Sequence, residues 1–239
     1  MADTPDTEQP QGPTTLRLKT KGKLTDAGDA LGLQRGDVLV ALNGVAFEGN
    51  ARELNNRFDL SGGRPLAMTF ARNGVELTVL ADHPNLGKWE SVPVPGWKGE
   101  RQDPEALRNW EILRSGDGFY DLHPLTTPQL TLICPPVWLL QQRLWAPAAA
   151  ICATIAVGGL IWWPIAAVFY VLSGMALRRM ATNLFRADRM NMGLYPYAIV
   201  AATSESSAHA AYKKIDPMGR FLFAPVETVE DQTAPETTA

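Results

Sequence analysis

The chain begins and ends on polar sequence, and between those ends its apolar residues follow changing rhythms. From Thr15 to about Asp82 they mostly alternate. Leu16 and Leu18 lie two apart, Val38 to Leu42 forms a short continuous run, Leu66, Met68 and Phe70 alternate, and so do Val75, Leu77 and Val79. A period of two puts successive side chains on opposite faces of a sheet, so these runs predict short strands. Asn73-Gly74 separates the last two and suits the positive φ angles of a two-residue hairpin; Asn43-Gly44 marks another turn. One helix is expected between them. Asn50 can cap it, Glu53 completes a capping-box-like pair, and Leu54 with Phe58 forms its buried stripe.

From His83 to Pro128 the rhythm breaks up among Pro84, Pro93, Pro95, Gly96, Trp97, Gly99 and Pro104. The tryptophans favour burial, so residues 83–128 read as an ordered linker. Within it, Asp103-Pro-Glu-Ala-Leu resembles a short helix start. Trp110 to Leu122 reads as a hairpin turning at Ser115-Gly-Asp-Gly118, which would seat the N-terminal unit close to a membrane.

Then the pattern loses its polar half. From Ala146 to Leu177 no Asp, Glu, Lys, Arg or His occurs. One straight helix over that stretch would measure about 48 Å, against a hydrocarbon core of about 30 Å. Cutting it at Trp162-Trp163-Pro164 gives two helices, with Pro164 in the first turn of the second and Gly158-Gly159 weakening the end of the first. Arg143 precedes the stretch, and Arg178, Arg179, Arg186 and Arg189 follow it. Both flanks satisfy the positive-inside rule only if they share one side, which expects an even number of crossings. Trp162 and Trp163 would then anchor the far interface, and Trp138 and Trp145 the near one. The competing reading is a single kinked, tilted span. Leu130 to Leu140, broken by Pro135-Pro136, is apolar but too short to span, and residues 129–144 are expected along or within the near interface.

After the apolar stretch, Met180 to Met190 should continue as helix and exit at Asn191-Met-Gly193. Tyr197 to Ala202 reads as a strand and Ser204 to Lys214 as a short capped helix, making residues 181–225 a small α/β cap. Residues 1–13 and 226–239, rich in Thr, Pro and acids, are expected to be disordered tails.

Composition narrows the function classes. A net charge of −3 and a pI near 5.7 argue against nucleic acid as a partner. The mean hydropathy of −0.10 averages a polar and a strongly apolar population. Cys134 and Cys152 lie in apolar sequence and suggest no disulfide framework. Met1 to Pro13 has neither a basic nor an apolar signal-peptide region, so the N-terminal domain is expected in the cytoplasm, and an even number of crossings puts the C-terminus there too.

The run from Ala30 through Gly32-Leu33, Gly36-Asp37 and the apolar strand to Asn43-Gly44 resembles the bacterial PDZ pattern. The resemblance covers residues 14–82, where the later helix and the Arg72-Asn-Gly74 hairpin also fit. It implies a peptide C-terminus added as an extra strand, with a nearby loop holding the carboxylate. The positions in question are Lys21, Lys23 and Leu24, with Leu54 and Phe58. No Gly-Leu-Gly-Phe-type loop precedes Gly28. Lys19, Lys21 and Lys23 suit either carboxylate attraction or a solvated edge that discourages aggregation. From Pro135 to about Lys214, Pro136-Val-Trp-Leu-Leu140, Arg143-Leu-Trp145, the apolar pair, Arg178-Arg179 and Gly193-Leu-Tyr195 resemble a bacterial membrane-protein family of unknown function.

Chemistry is harder to place. There is no His-Glu-x-x-His, no nucleotide-binding glycine loop, and no ionisable residue in the apolar stretch. Ser173 has no intramembrane His, and Ser61-Gly62-Gly63 has no surrounding protease domain. His83, His123 and His209 lie far apart in sequence and read as surface or linker residues, so no metal or cofactor is expected.

The expectation is therefore an α+β chain: a small PDZ-like β domain with one main helix at 14–82, an α-helical membrane hairpin at 145–180, and a small cytoplasmic α/β cap. It reads as a non-catalytic adaptor or accessory subunit of an inner-membrane complex. Small residues Ala149, Ala153, Gly158 and Gly174 would serve helix packing, and the bilayer and an integral membrane complex are the expected partners, with a cytoplasmic protein or peptide C-terminus in addition. A regulator of membrane proteolysis or quality control that captures C-termini is the alternative.

Overall fold

The computed structural model describes residues 12–126 and 129–224, and the tail expectations at 1–11 and 225–239 fall outside them. The described residues form a mixed α+β architecture with two sheets and seven helices.

The first sheet contains the alternating runs as antiparallel strands: β1 (Thr14–Leu18), β2 (Val38–Leu42), the short β3 (Val45–Ala46), β4 (Leu66–Arg72) and β5 (Val75–Ala81). Between them lie α1 (Asp26–Ala30) and α2 (Ala51–Leu60). Both Asn-Gly turns adopt the left-handed conformation their residues permit: Asn43 and Asn73 have φ of 51°, followed by Gly44 at 70° and Gly74 at 82°. Asn50 caps α2, accepting from the N–H groups of Arg52 at 3.0 Å and Glu53 at 3.1 Å. The Glu53 carboxylate pairs forward with Arg57 at 3.0 Å, so the capping box is only half made. Leu54 and Phe58 are buried.

The region expected to be a linker is instead built into both sheets. β6 (Trp89–Pro93) pairs antiparallel along β1, from Thr14 opposite Pro93 to Leu18 opposite Trp89. The strand order is thus β5-β4-β2-β1-β6, and the first sheet continues past Asp82. Half-buried Trp89 explains this, because its ring stacks on core Phe70 at 6.4 Å and joins the strand to the apolar interior.

β7 (Arg108–Arg114) and β8 (Phe119–Pro124) form the expected hairpin around Ser115-Gly118. Its partner comes from more than seventy positions later, well beyond the apolar helices: β9 (Tyr195–Ala202) pairs with β7 from Arg108–Ala202 to Arg114–Tyr195. With β10 (Arg220–Phe221) parallel to β8, the second sheet runs β10-β8-β7-β9. The hairpin of the expected linker and the expected cap are therefore one folded unit.

A single apolar core runs through both sheets, joining Leu39, Phe70 and Val79 to Ile112, Ile199 and Tyr212. Asn109 of β7 ties the second sheet to β5, an outer strand of the first. Its side chain donates to Leu80 O and accepts from Leu80 N–H, both at 2.8 Å. Asn109→Ala leaves both backbone groups unpartnered and is expected to lower the unfolding free energy by about 1–3 kcal/mol, read from the urea midpoint in detergent.

Between β8 and β9 the chain forms four helices: α3 (Leu130–Ile133), α4 (Pro135–Gln141), α5 (Trp145–Ile161) and α6 (Trp163–Asn191). The last helix, α7 (Glu205–Ile215), packs on the second sheet. Ser204 and Ser207 supply reciprocal capping bonds at its start.

Candidate functional site

The reversal at Trp162, whose backbone is extended, lets α6 return along α5. Proline suits this place because the first-turn N–H it lacks has no partner within the helix. The contact face of α5 is marked by Ala148, Ile151, Ile155 and Gly158, a three-four spacing that the sequence carries without a polar opposite face. A Cβ at Gly158 would come within 2.8 Å of the Phe169 ring and 3.2 Å of the Ala166 nitrogen. That glycine, expected to dock a partner helix, closes the hairpin itself.

Outside this contact line the pair presents apolar side chains to its surroundings. Leu160 is 88% exposed, and Ile161, Trp162, Trp163, Val168 and Val171 are all exposed. Ala149 and Ala153 are also exposed and leave a low, small-residue strip on the outer face of α5. Helix α6 is long and apolar enough, by length and composition, to cross a membrane; α5, at 17 residues, is shorter. At 1.5 Å per residue, α6 is about 43 Å long. It changes character at Arg178 and Arg179, both exposed, and its remaining turns lie on the folded domain.

The short helices α3 and α4 brace the base of the pair. Trp138, expected at the near interface, is only 2% exposed and packs with Leu139, Leu144, Ala148, Leu177 and Ala181. Gly174, like Gly158, serves internal packing: a Cβ there would come within 3.3 Å of the Thr131 and Leu132 carbonyl oxygens. Trp145 is exposed. Arg143 turns the chain from α4 into α5 with a φ of 59°, and its guanidinium lies 3.9 Å from the Phe223 ring centroid.

Where α6 meets the second sheet, a buried ionic joint replaces the apolar contacts. Arg189, 2% exposed, donates to Asp121 at 2.5 Å, to Asp188, and to Gln142 O at 3.2 Å. One turn earlier, Arg186 donates to both oxygens of buried Glu111, at 3.0 and 2.8 Å. Phe185 stacks between them on His123, with ring centroids 4.1 Å apart. His123 was expected at the surface or in a linker and is 2% exposed. Burial pulls its pKa down to about 4; a hydrogen bond with Gln142 opposes this, and Arg186 and Arg189 reinforce it. Its Nδ1 has no partner among the described residues. Beside the joint lies a cavity of about 200 Å³ bounded by Gln141, Gln142, Arg143, Asp121 and Arg189.

No family model, curated protein or solved structure matches the chain.

The residues considered for peptide binding do not come together as an open groove. Lys21 and Lys23 are exposed, whereas Leu24 packs on the core and Leu54 and Phe58 lie inside it. The resemblance places an added strand beside the second strand, but β2 is flanked on both sides, by β1 and β4. Among the described residues no group of three or more His, Cys, Asp or Glu side chains could hold a metal ion, and both cysteines are free. Ser173 donates to Tyr170 O at 2.8 Å within its own helix. The buried joint could not be found by local pattern. Its only sequence signal was the Arg186–Arg189 spacing, which places both side chains on one helix face.

Proposed function

We propose that this chain is a non-catalytic, membrane-anchored adaptor or accessory subunit. The α5–α6 hairpin enters a bacterial inner membrane, and the two-sheet domain and both termini stay on the cytoplasmic side. The observation that carries this reading is the composition of the second sheet. Strands β7 and β8 precede the apolar helices and β9 follows them, yet they pair in one sheet. A sheet cannot be shared across a bilayer, so a hairpin that enters lipid must return to the side it left. The exposed Leu160, Ile161 and Val171 support lipid as its surroundings, since apolar surface of that extent in water is costly. The arginines at 178 and 179 support a cytoplasmic border.

The first sheet is read as a PDZ-like unit on the strength of the Gly32-Leu33 and Gly36-Asp37 passage into β2, the Asn43-Gly44 turn, α2 and the β4–β5 hairpin. With β2 flanked by β1 and β4, a free C-terminus added beside it would have to displace a strand, which favours the adaptor reading over the proteolysis regulator. The exposed Ala149–Ala153 strip suits close approach by a helix of an integral membrane partner.

Leu144 and Leu177 share one cluster, so a short Gly-Ser linker can replace residues 146–176. The full chain is expected to resist alkaline carbonate extraction and the linker variant to appear in the supernatant with its second sheet intact by circular dichroism. A full chain released by carbonate would overturn the proposal.

A further inference from the structure

The segment α3–α4 has the geometry of a third, shallower apolar insertion beside the hairpin. From Leu130 to Leu140 there is no charged residue, and the segment is bounded by Gln129 on one side and Gln141-Gln142-Arg143 on the other. Its outer face is apolar and uncovered: Ile133 is 67% exposed, with Val137 and Leu140 also exposed.

Two measures give its depth. Tyr170 donates its hydroxyl hydrogen to Ile133 O, so the apex lies level with Tyr170. Eight residues separate Tyr170 from Arg178, about 12 Å of helix. Seven residues separate Cys134 from Gln141 on α4, about 10 Å. Both put the apex about 10–12 Å beyond the polar border, most of the roughly 15 Å of one leaflet.

The backbone at the apex is also suited to a place without water. Ile133 N–H donates to Gln129 O at 3.3 Å and Cys134 N–H to Leu130 O at 2.8 Å. The Ile133 carbonyl accepts from Tyr170, and the Cys134 carbonyl accepts from Trp138 N–H at 3.2 Å. Pro135 and Pro136, which open α4, have no N–H to satisfy. In hydrocarbon each unpaired backbone donor costs several kcal/mol, so a proline pair at the turn removes the groups that lipid penalises most.

We infer that α3–α4 is a re-entrant wedge whose partner is the acyl-chain region of the domain-side leaflet: it enters at Gln129, turns at Cys134 near the bilayer midplane and leaves at Gln141. The inference rests on the membrane reading of α5–α6. Lipid rather than protein is the occupant because α3 packs on α6 at Gly174, and the neighbouring turns of α6 carry the exposed Val171, Leu172 and Met175. The membrane body is therefore wider in one leaflet than in the other.

The test uses the full chain with Cys134→Ser and Cys152→Ser and a single environment-sensitive label. The label is placed at Ile133→Cys, at Ala156→Cys in the exposed middle of the hairpin, or at Lys214→Cys on the domain. Each protein is reconstituted into phosphatidylcholine–phosphatidylglycerol vesicles with chains brominated near their ends. Labels at 133 and 156 are expected to lose at least half their emission, and the label at 214 to be unchanged. Quenching at 156 with none at 133 overturns the wedge and leaves the hairpin in place. Absence of quenching at both sites overturns the membrane reading as well.

Discussion

Replacing Arg189 with methionine is expected to lower the unfolding free energy by about 3–5 kcal/mol, because it leaves Asp121 charged, buried and without its guanidinium. Asp121 is 4% exposed, and it also accepts from the Leu122 N–H at 2.9 Å. The loss should be visible as a shift in the urea midpoint of the full chain in detergent, followed by tryptophan emission. Adding Asp121→Asn to Arg189→Met removes the stranded charge and is expected to recover most of the stability, which a simple packing defect at position 189 would not allow. Arg186→Met should cost less. Its side chain is 36% exposed, so water can enter and solvate the Glu111 carboxylate. A single and a double variant of equal stability would remove the ionic joint from the account of how α6 is held.

The second large effect is an acid sensitivity centred on His123. In the folded chain this imidazole titrates at about 4, against an ordinary value of about 6.5. Between those values the unfolded chain binds a proton that the folded chain does not, so stability rises with pH through the window. The contribution is fully present above about pH 6.5 and is lost as pH falls toward 4, an amount on the order of 3 kcal/mol for a shift of that size. Its cause is local. A protonated ring would be a third cation beside Arg186 and Arg189, in contact with Phe185 and away from water. Unfolding free energies of the full chain and His123→Leu, compared at pH 4.5 and 7, should diverge at the acid end, with the variant losing less. Parallel pH profiles would sink the assignment.

Both effects fall on the same structural feature, the end of a helix that is apolar at Trp163 and ionic at Arg189. Helix α6 carries any force from the apolar pair to the second sheet without an intervening loop. The joint of Arg186 and Arg189 with Glu111 and Asp121 ties the end of α6 to β7 and β8. For a protein proposed to bridge a membrane complex and a cytoplasmic partner, a stiff joint maintains the geometry between its two contact surfaces.

Much of the local structure was legible before any coordinates. The Asn73-Gly74 turn, the Asn50 cap, the hairpin at Ser115-Gly118 and the break at Trp162-Trp163-Pro164 all depend on residues within one turn of each other. The chemistry of Asn, Gly and Pro is enough to predict them. The burial of Trp138 and the inward use of Gly158 and Gly174 were not legible. In a stretch apolar on every side, periodicity gives no face to orient by.

What the sequence by itself determined was each element with a local cause and the uncharged span between Arg143 and Arg178, which bounds the apolar body whatever it packs against. Only the tertiary structure decided that β6 covers β1, that β9 completes a sheet begun before the apolar helices, and that His123, Asp121 and Arg189 meet in one buried joint. These are pairings between distant segments. Their free energy comes from which edges and faces meet, and alternation along a single strand is the same whichever neighbour it acquires.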